Sequence, residues 1–342
     1  MTKTVLFRCD GGRNIGMGHV MRCLCLADGL RDQGIKDISF LTYSPDQAAK
    51  KKIQDWEFKV VEAPEAGSES DLKFLVKSVK DLKDLSRSLL ITDSYALTDR
   101  YLSEVKTTGI RVLSFDDEAK QSFPVNWVLN HNLGAEKLVY PKGTTAKILG
   151  GSKYFLLRKE FKNLIGKRIA SKDFHLLVTM GGSDSNNQTK KVLEAIKGTK
   201  QKLKVTVVLG SAHPDVKGIQ ALAKSMSHQV QVVHDVPDLA AYLTDVNLAV
   251  TGGGTTCYEM AAVGIPNIML VLADNQRRIA QMLNDFGCSK SLGWSQDVDD
   301  KKIAQTIEAL LGQPEILKQM SARGPELVDG RGVDRVLEAI LN

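Results

Sequence analysis

The sequence predicts an α/β protein made of two doubly wound, Rossmann-like domains. Three observations carry this. Short β-branched runs alternate with helical-period segments from one end to the other, the order that makes a parallel sheet with helices on both faces. A strand, glycine loop and helix at the start of the chain are repeated at Leu176 to Ile196. The length, 342 residues, corresponds to two domains at roughly 150 residues each.

The elements follow in order. Val5 to Phe7 reads as a strand, with glycines at Gly11-Gly12 and Gly16 to Gly18 behind it. Val20, Cys23, Leu24, Ala27 and Leu30 then fall at helical spacing, predicting an amphipathic helix that ends near Gly34. Further strands are expected at Ile38 to Leu41, Lys59 to Val61, Leu89 to Thr92, Arg111 to Phe115 and Trp127 to Leu129. In the second half Leu176 to Thr179 is a strand, Gly181-Gly182 a loop and Asn187 to Ile196 a helix. Strands follow at Val205 to Leu209, Val230 to Val233, Leu248 to Val250 and Asn267 to Leu270. The expected division is 1–158, a Lys- and Arg-rich linker at 159–172, 173–328, and a C-terminal helix at 329–342 returning to the first domain. Two such domains are expected to face each other across a cleft, with ligands outside the carboxyl ends of the strands.

Composition narrows the function. The chain is 43% hydrophobic and 25% charged, which argues against disorder and against a disulfide scaffold. Its net charge of +6 is interspersed, and Lys50-Lys51-Lys52 has no interleaved aromatic residues, so no nucleic-acid partner is expected. The five cysteines include no Cys-x-x-Cys pair, and Cys23 and Cys25 point to different helix faces; reduced thiols in a cytoplasmic protein are expected. Met1 to Arg8 is too short for a signal-peptide core, and Ile268 to Ala273 is far below the ~18 residues of a membrane span. No membrane insertion is expected, and the default state for two closing domains is a monomer.

Five motifs lie just behind strands. In Asn14-Ile-Gly16-Met-Gly18-His19-Val-Met-Arg22, Met21 replaces the third glycine of a dinucleotide fingerprint, and no Gly-Lys-Ser/Thr follows. Gly18 lets a ligand near the backbone, and His19 in a first helical turn is either a helix cap or a proton acceptor. Arg22, one turn on, meets an anionic ligand or forms a surface salt bridge. Thr251-Gly-Gly253-Gly254-Thr255-Thr256-Cys-Tyr-Glu259 opens a helix with free N–H groups and hydroxyls suited to phosphate. Glu259 either completes a capping box with Thr256 or accepts both hydroxyls of a ribose. Gly181-Gly182-Ser183-Asp184 is a second loop for the same diphosphate, or a plain N-cap. Asn275, in Ala273-Asp-Asn-Gln276, reaches a ligand or caps a helix, and Asp93 and Tyr95 orient His19 or touch a sugar. The histidines show no metal-ligand spacing and there is no Asp-x-Asp pair of the type that holds a metal on a nucleotide sugar, so the expected site uses neither metal nor cofactor.

These residues resemble a known family. Ile15 to Cys23, Asp93-Ser-Tyr95, Phe115-Asp-Asp117, Leu129 to Gly134, Tyr154 to Arg158, Glu160-Phe161, Gly181 to Asp184, Gly252 to Glu259 and Ala273 to Gln276 together are similar to the UDP-sugar hydrolases of the pseudaminic acid pathway and the related spore-coat polysaccharide proteins. Both resemble glycosyltransferases of the B-type fold. The resemblance implies metal-independent, inverting hydrolysis of UDP-2,4-diacetamido-2,4,6-trideoxy-β-L-altrose or a close relative by C–O cleavage. His19 would be the general base, with Gly18, Arg22, Asp93, Tyr95 and Asn275 around the sugar. Gly182, Ser183, Gly253, Gly254, Thr255 and Thr256 would hold the diphosphate, and Glu259 the ribose. The sequence departs from the family's commoner forms at Ser94, at Asn130-His-Asn132 and at Gly254-Thr255, which bears on the sugar more than on the reaction. The alternatives are a transferase of the same fold, passing the sugar from UDP to a surface-polysaccharide acceptor, and a nucleotide-binding module without turnover.

Overall fold

The structure, a computed structural model, describes residues 2–11, 17–43, 47–169, 171, 173–182, 184 and 186–342. The chain forms two compact units, Met1–Leu156 with Arg331–Asn342, and Leu157–Gly330.

The first unit is built on β1 (Thr4–Cys9), β2 (Asp37–Thr42), β3 (Lys59–Glu62), β4 (Ser88–Asp93), β5 (Arg111–Phe115), β6 (Trp127–Asn130) and β7 (Lys147–Gly150). They form one parallel sheet in the order β3-β2-β1-β4-β5-β6-β7. Every residue of β4 is buried, as expected for a central parallel strand covered on both faces. The helices are α1 (Gly18–Asp32), α2 (Gln47–Asp55), α3 (Glu69–Lys80) and α4 (Asp99–Lys106). Two of them begin at side-chain caps, Ser68 accepting from Asp71 N–H and Thr98 from Tyr101 N–H.

The second unit opens with α5 (Lys159–Lys162), so the segment expected as a linker contributes a helical turn to this unit. Its strands are β8 (His175–Thr179), β9 (Lys204–Leu209), β10 (Gln229–His234), β11 (Leu248–Gly252), β12 (Asn267–Val271) and β13 (Ser289–Trp294), all parallel, in the order β10-β9-β8-β11-β12-β13. Around them lie α6 (Gln188–Ile196), α7 (Val216–Lys224), α8 (Thr256–Ala262), α9 (Gln276–Phe286), α10 (Asp300–Leu311) and α11 (Pro314–Leu327). The last helix, α12 (Gly332–Leu341), returns to the first unit, where Val336, Leu337 and Ile340 enter the same core as Phe7 and Leu24.

Three elements differ from the sequence expectation. β7 and β13 lack the long β-branched runs of inner strands, because each is an edge strand with a single neighbour and only partial burial. α1 is not amphipathic: His19, Val20 and every residue from Arg22 to Leu30 are buried. The sheet covers one side of α1 and α12 another, so close that a Cβ on Gly29 would stand 2.4 Å from Val333 Cγ1. All five cysteines are free and buried, and burial pushes the Cys257 thiol up to about 12. Among the described residues no helix is long and apolar enough to cross a membrane.

Candidate active site

In an open parallel sheet, the crevice for a ligand opens where the strand order reverses. In the first unit that point lies between β1 and β4, where Cys9 is registered against Asp93. α1 starts shortly after β1, and its three-residue spacing turns His19 and Arg22 to the same side. His19 Nδ1 stands 2.5 Å from Asp93 Oδ1. Arg22 holds the same carboxylate with its fork, Nε donating to Oδ2 at 2.6 Å and Nη2 to Oδ1 at 2.7 Å. It also grips Asp117, from Nη1 to Oδ1 at 2.8 Å and from Nη2 to Oδ2 at 3.1 Å, and lies over the Phe115 ring. Arg22 is thus neither a surface salt bridge nor an unengaged cation: it is the buried hub between two carboxylates.

Burial alone would raise both carboxyls. The Arg22 charge, with His19 beside Asp93, overrides that and holds Asp93 and Asp117 well below the usual carboxylate range. The close Asp93 carboxylate favours a proton on Nδ1, although Arg22 Nη2 also stands 3.2 Å from that nitrogen, and turns Nε2 away from the pair. Among the described residues Nε2 of His19 has no hydrogen-bond partner. Tyr95 closes the group: its hydroxyl donates to Asp117 Oδ2 at 2.6 Å, and its ring meets the His19 ring edge-on at 4.9 Å between centroids. Burial, then the Asp117 charge, push the Tyr95 phenol far up, so it stays a donor. Asn132 Nδ2 also donates to Asp117, at 2.8 Å. A Cβ on Gly18 would meet nothing within 4 Å, so no packing demands glycine there.

The structure therefore brings His19, Arg22, Asp93 and Tyr95 together. Asp117 and Asn132 complete the cluster although only their motifs, and no roles for them, were read from the sequence. Behind it His131 lies between Phe115 and Phe155, and burial, aided by the Arg22 charge, lowers its imidazole to about 4. The unfolded chain binds a proton there below the ordinary value near 6.5, whereas the native chain refuses it until about pH 4. Stability should accordingly fall as pH drops through that window, by about 3 kcal/mol from this group. Urea melts of wild type and His131→Asn between pH 7 and 4 test this. The variant, whose Oδ1 can still accept the Leu156 N–H, should show a shallower slope; equal slopes would exclude the effect.

In the second unit the reversal lies between β8 and β11, and the loops behind β8, β11 and β12 hold the other expected residues. Gly181 takes φ +85° and Gly182 is exposed; Ser183 lies outside the described residues. Gly253 is not free for a phosphate, because its N–H donates to Leu270 O and Gln276 Oε1, both at 3.1 Å. Gln276 Oε1 also accepts Leu272 N–H at 2.9 Å and so stitches the ends of β11 and β12 together. Gly254, Thr255 and Thr256 differ from Gly253: among the described residues their N–H groups reach no protein acceptor, as at any uncapped helix start. No capping box forms at Thr256, since α8 has no side-chain cap. Glu259 is instead buried and bidentate with Arg158, Nε to Oε1 at 2.7 Å and Nη2 to Oε2 at 3.0 Å. Arg158 also pairs with Glu160 at 2.9 Å and lies over Phe161. Each Glu259 oxygen keeps a further lone pair for a hydroxyl donor. Asn275 starts α9 without a side-chain cap and is exposed.

Comparison with known proteins follows the same lines. The chain matches the glycosyltransferase family 28 C-terminal domain over residues 148–329, more than half its length. It is 26% identical over 334 residues to the spore coat polysaccharide biosynthesis protein SpsG of Bacillus subtilis, covering 96% of this chain and 94% of that one. It is 26% identical to the UDP-2,4-diacetamido-2,4,6-trideoxy-beta-L-altropyranose hydrolase of Campylobacter jejuni over 284 residues, 82% of this chain and 92% of the other. Among solved structures, MurG of Acinetobacter baumannii superposes with a TM-score of 0.72 at 18% identity, covering 99% of both chains. The fold is that of the two-domain glycosyltransferases of the B type.

Proposed function

Because the chain belongs to the glycosyltransferase family 28 C-terminal domain family, we propose that it is an enzyme of nucleotide sugars, and specifically a UDP-sugar hydrolase of nonulosonate synthesis. Water attacks the anomeric carbon, His19 Nε2 takes its proton, the C–O bond to the diphosphate breaks with inversion, and UDP leaves. The observation that carries this is the His19–Asp93 pair, which orients an imidazole whose other nitrogen is unpartnered among the described residues. Gly18, Tyr95 and Asn275 serve the sugar. Arg22 acts through Asp93 and Asp117 rather than by touching it. Gly182, Ser183, Gly254, Thr255 and Thr256 serve the diphosphate, whose developing charge their N–H groups neutralise. Glu259, held by Arg158, accepts the ribose hydroxyls. The similarity to the Campylobacter hydrolase supports UDP-2,4-diacetamido-2,4,6-trideoxy-β-L-altrose as the substrate.

The test is a proton NMR time course of wild type with that nucleotide sugar. Free sugar and UDP are expected in equal amounts, with inverted anomeric configuration at early times. Absence of release from water would overturn the hydrolase reading. The family match favours one second reading, transfer to an acceptor hydroxyl. It predicts UDP release only when an acceptor glycan is added, whereas a pure binding module releases none under either condition.

A further inference from the structure

The segment after β9, Gly210 to Asp215, grips the glycine loop after β8. Ala212 N–H donates to Gly182 O at 3.1 Å. Gly210 is glycine because the loop passes directly over it: a Cβ there would stand 2.3 Å from Gly182 O and 2.4 Å from Gly181 O. Beneath the loop the buried Asp184 carboxylate ties it to the first turn of α6, accepting Gln188 N–H at 2.7 Å and Thr189 N–H at 2.8 Å. His213 faces this carboxylate, with Nε2 3.4 Å from Oδ2 and both side chains almost wholly buried. Its Nδ1 accepts the Asp215 N–H at 3.1 Å, which leaves Nε2 to carry a ring proton on the side of Asp184, at ion-pair distance from the carboxylate but outside hydrogen-bond geometry. Among the described residues no other basic side chain pairs with Asp184, and His213 Nε2 has no hydrogen-bond partner.

We propose that His213 is a positioning residue for nucleoside diphosphate binding: through Asp184 it fixes the glycine loop whose Gly181 and Gly182 N–H groups meet the diphosphate. This rests on the nucleotide reading above. The mechanism is electrostatic and local. The buried carboxylate that caps α6 is held by two backbone N–H groups, and the imidazole 3.4 Å away adds an attraction that keeps it, and the loop it anchors, in phosphate geometry. The effect must therefore follow the phosphates and not the base.

The experiment is calorimetric titration of wild type, His213→Ala, His213→Gln and His213→Asn with UDP and with uridine, alongside thermal melts. His213→Ala should weaken UDP several-fold, the size of a modest buried electrostatic contact, and leave uridine unchanged. His213→Gln, whose amide reaches the place of Nε2, should restore UDP affinity; His213→Asn, which replaces only Nδ1, should not. A UDP affinity within twofold of wild type in folded His213→Ala, or equal losses for UDP and uridine, overturns the proposal. If His213→Ala melts below the assay temperature, the glutamine and asparagine variants decide it: equal affinities overturn it, a difference in favour of glutamine supports it. Wild type that binds no UDP overturns the nucleotide reading itself, and this inference with it.

Discussion

His19→Ala should lower kcat for UDP-sugar hydrolysis by about 10²–10⁴-fold, the usual contribution of a positioned general base. That corresponds to about 3–5 kcal/mol of transition-state stabilisation. UDP affinity should stay within twofold, because the nucleotide is assigned to loops of the second unit. The fold should survive, since Asp93 keeps both bonds from Arg22 when the imidazole is gone. His19→Asn sharpens the test: its amide can still donate to Asp93, yet it offers no basic nitrogen, so it should be as inactive as alanine. Single-turnover rates and UDP titrations measure both quantities. Turnover near wild type in either folded variant would remove His19 from the chemistry.

Arg22→Met should be the most destabilising change at this site. It strands Asp93 and Asp117, 1% and 16% exposed at their side chains, without the charge that keeps both ionised. Removing one partner of a buried pair typically costs 3–5 kcal/mol. For a unit of this size each kcal/mol shifts the melting temperature by about 2–4 °C, so a fall of about 10 °C is expected. Arg22→Lys should recover only part of it, because an ammonium cannot present the planar fork that satisfies two carboxylates. Calorimetric melts at pH 7 check this, and a shift below about 2 °C would mean that the pair is not what holds the site together.

Much of this arrangement was legible before any coordinates, and the reason is physical. A parallel strand buried on both faces reads as a continuous apolar run, so the inner strands stand out. Because ligands gather behind such strands, Gly18, His19, Asp93, Gly182 and Glu259 stand out with them. What could not be read depends on contacts distant in sequence. Arg22 and Asp117 lie 95 positions apart, and Arg158 and Glu259 lie 101 apart. No spacing rule connects such residues, so Asp117 and Arg158 were noticed as motif members without a partner. The free N–H of Gly253 was wrongly expected because a glycine triplet hides which member is stitched down, here by Gln276. α1 differs for a similar reason: periodicity detects one apolar stripe, and an expected return of the C-terminal helix to this domain does not say that this second helix lands on the outer face of α1.

That second helix has a consequence for biosynthesis. His19, the proposed base, stands on α1, and the core around α1 includes Val336, Leu337 and Ile340 of α12. Chains emerge from the ribosome amino end first, and domains generally fold as units in that order. Here the order is inverted for completion. Leu157–Gly330 can close on itself as soon as it is exposed, whereas the unit carrying His19 waits with an uncovered face until translation has passed Ile340. The unit with the proposed nucleotide loops is finished first, and the unit with the proposed base is sealed last.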